Sequence, residues 1–449
     1  MSEPPPQSRP ATSEVPVRIP RHRYALQTIR DYLELVLSAP CSGRAAAWVL
    51  KRWSERTPGL AETPCANAGR TWLFRLGLYE LTCAQERADD WVWLVDHTVQ
   101  LGSHKGMIVV GLRLSAWQKT PRPLEHADVR LLHLEPMEHS DGQRVQRELE
   151  KVVARTGVPR AIVSDGGSDL KRGVKLFCQA HPAVTHSYDI KHKMALFLKK
   201  ELEGDPDWER YVTKANLARR GLTLTAGAFL VPPSLSAKAR YMNADRLVAW
   251  GGKVLRYLDN PPQTPGLAVK EQLREGRLGW LREYRRQLAE WSSLLALAQI
   301  SEHDVRHHGL HAGTVKNVEP RLQAATVCPR GWRMKDAIVE FLAGQTAAAR
   351  PGERLIGSTE VLESIIGKYK RLQSMHSGGG MTGMILSVGA LVGQPSRSRI
   401  VEALKQVTNS KVWQWCRERL GVTLQAQRKL AFATEQKRDP KHLTNQPSF

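Results

Sequence analysis

"WVWLVDHTVQ", residues 91–100, carries five apolar residues straight into Asp96, with His97 and Thr98 behind it. A continuous apolar run rich in β-branched and aromatic side chains reads as a central strand. A carboxylate at the end of a buried strand is costly unless something compensates it, so Asp96 asks for a chemical reason. Working outward, "GMIVVGLRL" (106–114) is a second strand and "DVRLLHLEPM" (128–137) a third. Gly and Lys between the first two suggest a hairpin turn.

The period then changes. "SDGQRVQRELEKVVART" opens on the cap residues Ser140 and Asp141 and places Val145, Leu149, Val152 and Val153 at helical spacing. "PRAIVSDG" is a short fourth strand ending at Asp165, "SDLKRGVKLFCQAH" a helix, "THSYDI" a fifth strand and "KHKMALFLKKEL" a long basic helix. Three strands followed by helix, strand, helix, strand and helix predict an α/β fold. It is a mixed five-stranded sheet covered by helices, the order shared by the ribonuclease H fold.

The chain has 449 residues, which predicts roughly two to four domains. Its formal net charge of +22 points to a polyanionic partner, nucleic acid first. No stretch of about 18 apolar residues suggests a transmembrane helix, and "MSEPPPQSRPATSEVP" lacks the apolar core of a signal peptide. The six cysteines form no CxxC pair, in keeping with reduced thiols in the cytosol.

Upstream of the sheet, Leu26, Ile29, Leu33, Val36 and Leu37 have helical spacing. Ser42 caps a second helix with Ala46, Val49, Leu50 and Trp53 on one face. "ANAGRTWLFRLGLYEL" is a third, expected to expose Arg70 and Arg75. This order fits a helix-turn-helix that touches DNA, or a plain three-helix bundle. Downstream, "LGWLREYRRQLAEWSSLLALAQ" (278–299) is a strong helix with Trp291 inward, "VLESIIGKYKRLQS" (361–374) another, and "SRIVEALKQV" and "SKVWQWCRERL" are helical. The expected organisation is a disordered leader over 1–20 and a helical DNA-binding domain over 21–88. A sheet core over 89–203 follows, then an all-helical insertion over 204–354 and the last part of the core over 355–393. C-terminal helices over 394–424 and a basic tail over 425–449 complete it.

With this strand order, Asp96 and Asp165 converge from neighbouring strands. Two such carboxylates repel each other, and a hard divalent cation removes the conflict. Two ions roughly 3.5–4 Å apart can activate a nucleophile and stabilise a leaving oxygen in phosphodiester chemistry.

These residues resemble a family. Asp96 in "WLVDHT" and Asp165 in "IVSDGGSDL" are similar to the first two acids of a DDE-type bacterial transposase with a ribonuclease H-like catalytic core and a helical insertion domain. The third acid of that family best matches Glu363 in "LESIIGKYKRL", about 200 residues after Asp165, with Glu360 and Glu302 as rivals. Family branches with such an insertion often carry a Cys/Asp-x-x-His motif, matched here by Asp189 and His192 in "SYDIKHK". The resemblance implies a near-site role for that pair. It also implies two Mg²⁺ (or Mn²⁺) ions held by Asp96, Asp165 and Glu363. The expected reaction is hydrolysis at the end of a mobile element, followed by attack of the freed 3′-hydroxyl on target DNA; the alternatives are a ribonuclease H-like nuclease without strand transfer and a non-catalytic DNA-binding protein derived from a transposase. The implied partners are double-stranded DNA at transposon ends and target, and a second copy of the chain in a homodimeric synaptic complex. No membrane and no nucleotide cofactor is expected, and the location is cytoplasmic, bacterial and nucleoid-associated.

Lys191, Lys193, Lys199 and Lys200 follow the fifth strand, and Lys368, Lys370 and Arg371 follow Glu363. Such runs are usually solvated helix faces; beside carboxylates they can hold phosphates. Trp250, before two glycines in "LVAWGGKVLRY", is a candidate for stacking on an extruded base, the role an aromatic of this domain has in related transposases. "HSGGGMTG" lacks the G-K-[ST] of a nucleotide loop, and "HDVRHHGLH" (303–311) is left as a surface or DNA-facing segment.

Overall fold

The computed structural model describes residues 17–433, apart from 40, 57–61, 102–103, 235–240, 242–243, 263, 265–266, 268, 376–380, 393–394 and 423. The leader over 1–16, the tail beyond 433, Gly102 and Ser103 of the expected hairpin, and most of "HSGGGMTG" lie outside the described residues. No described helix is long and apolar enough to cross a membrane.

Five strands form one mixed sheet: β1 (Trp91–Leu101), β2 (His104–Arg113), β3 (Arg130–Met137), β4 (Ala161–Ser164) and β5 (Thr185–Tyr188). The order is β3-β2-β1-β4-β5. β2 and β3 are antiparallel, with a register shift between Val109 and Val110, and β4 and β5 are parallel from Ala161↔Thr185 to Ser164↔Tyr188. This is the α/β sheet that the element order predicts. The sequence reading stops the first strand at Asp96, where the apolar run stops. Strand geometry continues to Leu101, so Asp96 lies within β1. The apolar run ends at Asp96 but the strand does not: Asp96 and His97 are half-buried and Thr98 beyond them is fully buried.

By compactness the chain divides into one unit of Met1–Leu112, Leu124–Pro159 and Glu360–Phe449, and another of Arg113–Pro123 and Arg160–Thr359.

In the first unit, Val92–Val95 of β1 and Met107–Val110 of β2 are wholly buried. Helix Gly142–Thr156 packs on β3 through Val145, Leu149 and Val152, and Asp141 caps it by accepting from the Arg144 amide at 2.8 Å. Three N-terminal helices, Leu26–Leu37, Gly43–Arg56 and Ala66–Thr82, precede the sheet. The third is buried around most of its circumference, because the first two cover one side and helices Ser387–Leu391, Arg397–Gln406 and Asn409–Leu420 the other. Two glycines permit this. A Cβ on Gly69 would fall 1.9 Å from the Tyr32 ring, and one on Gly77 would fall 1.8 Å from the Leu386 carbonyl oxygen. Beyond these helices, Leu424–Ala431 adds a short helix in what the sequence reading treats as tail.

In the second unit, helix Ser168–Ala180 links β4 to β5 and helix Ile190–Leu202 follows β5. The longer helices after it are Pro206–Leu222, Ala244–Asp259, Arg285–His308, Thr314–Ala325 and Pro329–Thr346. Among the described residues of 204–354 there is no strand of the sheet. An aromatic core of Trp208, Tyr211, Tyr284 and Trp291 organises these helices; Trp208 and Trp291 meet edge to face at 5.1 Å. The return of the chain to β5 is pinned by polar contacts. Arg160 donates to both Glu353 oxygens (2.8 and 2.6 Å), to Thr185 Oγ1 (2.6 Å) and to the Ala348 carbonyl (2.9 Å). Gln345 accepts from the Tyr188 amide at 2.8 Å, and the Ile190 amide donates to Gly357 at 2.9 Å.

Candidate active site

In the second unit, Asp165 is the residue immediately after β4. Its Oδ1 accepts from the Gly167 amide at 3.0 Å, a tight turn that sets the carboxylate before helix Ser168–Ala180. Its other oxygen takes no hydrogen bond from a described residue. Gly166 is needed here, since a Cβ would overlap the Tyr188 hydroxyl at 1.8 Å. Tyr188 therefore lies against this turn. Burial, with the negative charges of Asp165 and Asp189, pushes its phenol above the ordinary range.

Asp189 directly follows β5 and is 0% exposed. All of its acceptor capacity is used. Oδ1 accepts from the backbone amide and Nδ1 of His192, at 2.8 and 2.9 Å. Oδ2 accepts from the amide and hydroxyl of Thr359, at 2.6 and 2.9 Å. Burial opposes ionisation, but the His192 ring and the backbone donors outweigh it and hold the carboxyl below the usual aspartate range. Asp189 is thus both the cap of helix Ile190–Leu202 and a clamp on Thr359, the residue that precedes helix Glu360–Ser374. The cap is legible in the sequence; the clamp, to a residue 170 positions away, is not.

In the first unit, Asp96 is half-buried and accepts from the His97 amide at 2.6 Å. Glu363 and Glu360 both lie in the first turn of helix Glu360–Ser374. Negative charge is favourable at that end of a helix. Glu302, the other rival, lies on helix Arg285–His308 of the second unit.

The basic residues divide. Lys370 and Arg371 are exposed and lie seven and eight positions after Glu363, on its face of the helix. Lys368 is half-buried beside His126, whose imidazole is held below its ordinary range by burial and by that ammonium. Lys191 is half-buried in the first turn after Asp189. The Lys193 ammonium sits over aromatic rings, 4.7 Å from the centre of Phe197 and 5.2 Å from Phe341. Arg70 bonds Asn67 Oδ1 at 3.2 Å near the surface.

Two expectations are corrected. Arg75 is not an exposed DNA contact: it donates to the carbonyls of Leu404 and Val407, and burial lowers its pKa to about 10. The helix that carries it is enclosed on both sides. Trp250 is 9% exposed and its Nε1 donates to the Leu230 carbonyl at 2.9 Å. The glycine after it does not bare the ring; it admits the Tyr211 hydroxyl, 2.3 Å from where a Cβ would lie.

One cluster of metal-ligand type went unnoticed in the sequence. His133, Glu135 and Glu148 bring ligand atoms within 4.8 Å of one another. Cations already occupy it: Lys151 bonds both Glu148 oxygens at 2.8 Å, and Arg419 reaches Glu135 at 2.9 Å. This is a satisfied ion network.

No protein-family model matches the chain, and no curated protein does. Among solved structures, the chain is similar to the Drosophila P element transposase strand transfer complex. The TM-score is 0.41 and the identity 12%, over 84% of this chain and 93% of that one. It is also similar to a simian T-cell lymphotropic virus intasome in complex with PP2A regulatory subunit B56 gamma. There the TM-score is 0.17 and the identity 13%, over 54% of this chain and 74% of that one.

Proposed function

We propose that this chain is a DDE-type DNA transposase that cuts and joins DNA at the ends of a mobile element, using Asp96, Asp165 and Glu363. The observation that carries the reading is the strand order, in which β1, which contains Asp96, neighbours β4, which Asp165 directly follows. The net charge of +22 and the exposed Lys370 and Arg371 on the Glu363 face support a polyanionic substrate.

The donor set fits a hard divalent ion, since carboxylate oxygens are its preferred ligands and Asp165 keeps an oxygen that no described residue engages. When bound, Mg²⁺ or Mn²⁺ would supply Lewis acidity and a lowered water pKa. The chain's own residues do the positioning. The Gly167 amide and the Tyr188 wall fix the Asp165 carboxylate. Asp189 holds Thr359 through that residue's amide and hydroxyl. Lys370 and Arg371 hold flanking phosphates. Two element ends must be held together, so a homodimer is the simplest active assembly.

The test uses the purified chain, Mg²⁺ and labelled DNA spanning the flanks of its own coding sequence. Asp96→Asn, Asp165→Asn and Glu363→Gln are expected to lower cleavage by at least about a thousandfold while DNA binding persists. Cleavage at the wild-type rate in any of the three removes that residue from the site. Pre-cut ends separate transposition from simple nuclease action, because a nuclease yields no joined product.

A further inference from the structure

Helix Gly43–Arg56 has an inner stripe, Gly43, Ala46 and Leu50, which packs against the two neighbouring N-terminal helices. Its outer face is exposed at Arg44, Trp48, Lys51, Arg52, Glu55 and Arg56. Positions 44, 48, 51, 52, 55 and 56 follow the i, i+4, i+7, i+8 pattern of one surface. Trp48 is 59% exposed at its centre, with the Arg52 guanidinium 5.5 Å from the ring centroid. Four cations stand there against one carboxylate, Glu55, which Arg52 also engages at 2.9 Å. An exposed indole ringed by cations matches nothing that the core requires, and among the described residues no element packs over it.

We propose that this face binds unpaired DNA: the Trp48 indole stacks on a base while Arg44, Lys51, Arg52 and Arg56 contact the flanking phosphates. The charge fits a phosphodiester chain. The indole decides between paired and unpaired DNA, because the faces of duplex bases are already stacked and the grooves offer only edges. Unpaired bases arise where a DNA end is opened and cut, so the inference rests on the proposed action at DNA ends and adds to it a holding site for the opened strand. Trp53, 47% exposed, lies about 140° around the helix from Trp48 and is not part of this face.

The experiment is fluorescence anisotropy on the full chain in EDTA, with a labelled single strand, a forked duplex and a blunt duplex at several salt concentrations. Trp48→Ala is expected to weaken the single strand and the fork about tenfold, to leave the blunt duplex within about twofold, and to be rescued by Trp48→Phe. Lys51→Ala with Arg52→Ala is expected to flatten the single-strand salt dependence by about 0.7 per cation in log–log slope. Trp48 is exposed, so the thermal melt should not move; if it does, the salt slope of the Lys51/Arg52 variant decides alone. The proposal fails if Trp48→Ala binds single strands like wild type, if blunt duplex loses as much, or if Trp53→Ala has an equal effect. Binding in EDTA is independent of catalysis. Loss of cleavage in Asp96→Asn with no effect of Trp48→Ala would sink this inference alone. Trp48-dependent binding without any cleavage would sink the transposase reading alone.

Discussion

Replacing Asp189 by Asn removes one charge and turns one acceptor oxygen into a donor, inside a pocket with no solvent. The carboxylate accepts four hydrogen bonds, two from His192 and two from Thr359. The amide oxygen of Asn can keep the His192 pair. Its NH₂ then faces the Thr359 amide, donor against donor, while the Thr359 hydroxyl can turn and accept. One orphaned backbone N–H costs about 1–3 kcal/mol, and the surviving bonds lose their ionic reinforcement. The expected destabilisation of the second unit is therefore about 2–4 kcal/mol, read as a lower urea midpoint at unchanged slope. Amide exchange at Thr359 should accelerate along with it. The pH dependence has a definite sign. The carboxyl is held below its ordinary value of 3.8, so its contribution is complete above that value and is lost as pH falls through the depressed one. Wild type should lose stability in that acid range, and the Asp189→Asn variant should lose less. A midpoint within about 0.5 kcal/mol of wild type, or unaltered Thr359 exchange, would refute the clamp.

Gly77→Ala sets a Cβ 1.8 Å from the Leu386 carbonyl and should destabilise the first unit by about 3 kcal/mol or more, whereas Gly367→Ala, with nothing within 4 Å, should be neutral or stabilising by circular-dichroism melting. Trp250→Ala should cost about 3–5 kcal/mol in stability and leave the DNA affinity of the folded fraction unchanged; lost affinity at full folding would restore a stacking role. Glu148 is opposed by burial yet held down to about 2 by hydrogen bonds from His133 and Lys151. Its contribution to stability should be present above about pH 4.5 and fall away toward pH 2, and His133→Ala should narrow that window in acid-denaturation titrations.

Local order was legible in the residues. Apolar runs marked β1, β2 and β4, because a strand buried on both faces needs no polar alternation. Asp141 and Ser42 announced their helices, since a cap bonds an amide three residues on. The same short range made Asp189 readable as a cap. The candidate acids were found through the element order they punctuate.

The tertiary structure decided everything that joins distant segments. It set β1 between β2 and β4, carried β1 past Asp96, and tied Asp189 to Thr359. It buried the third N-terminal helix by letting Tyr32 and Leu386 approach Gly69 and Gly77, which turned Arg75 from a surface cation into an internal donor. It enclosed Trp250 and left Trp48 bare. Periodicity records which side of an element is apolar. Which partner covers that side depends on contacts between residues hundreds of positions apart, and no local pattern encodes them.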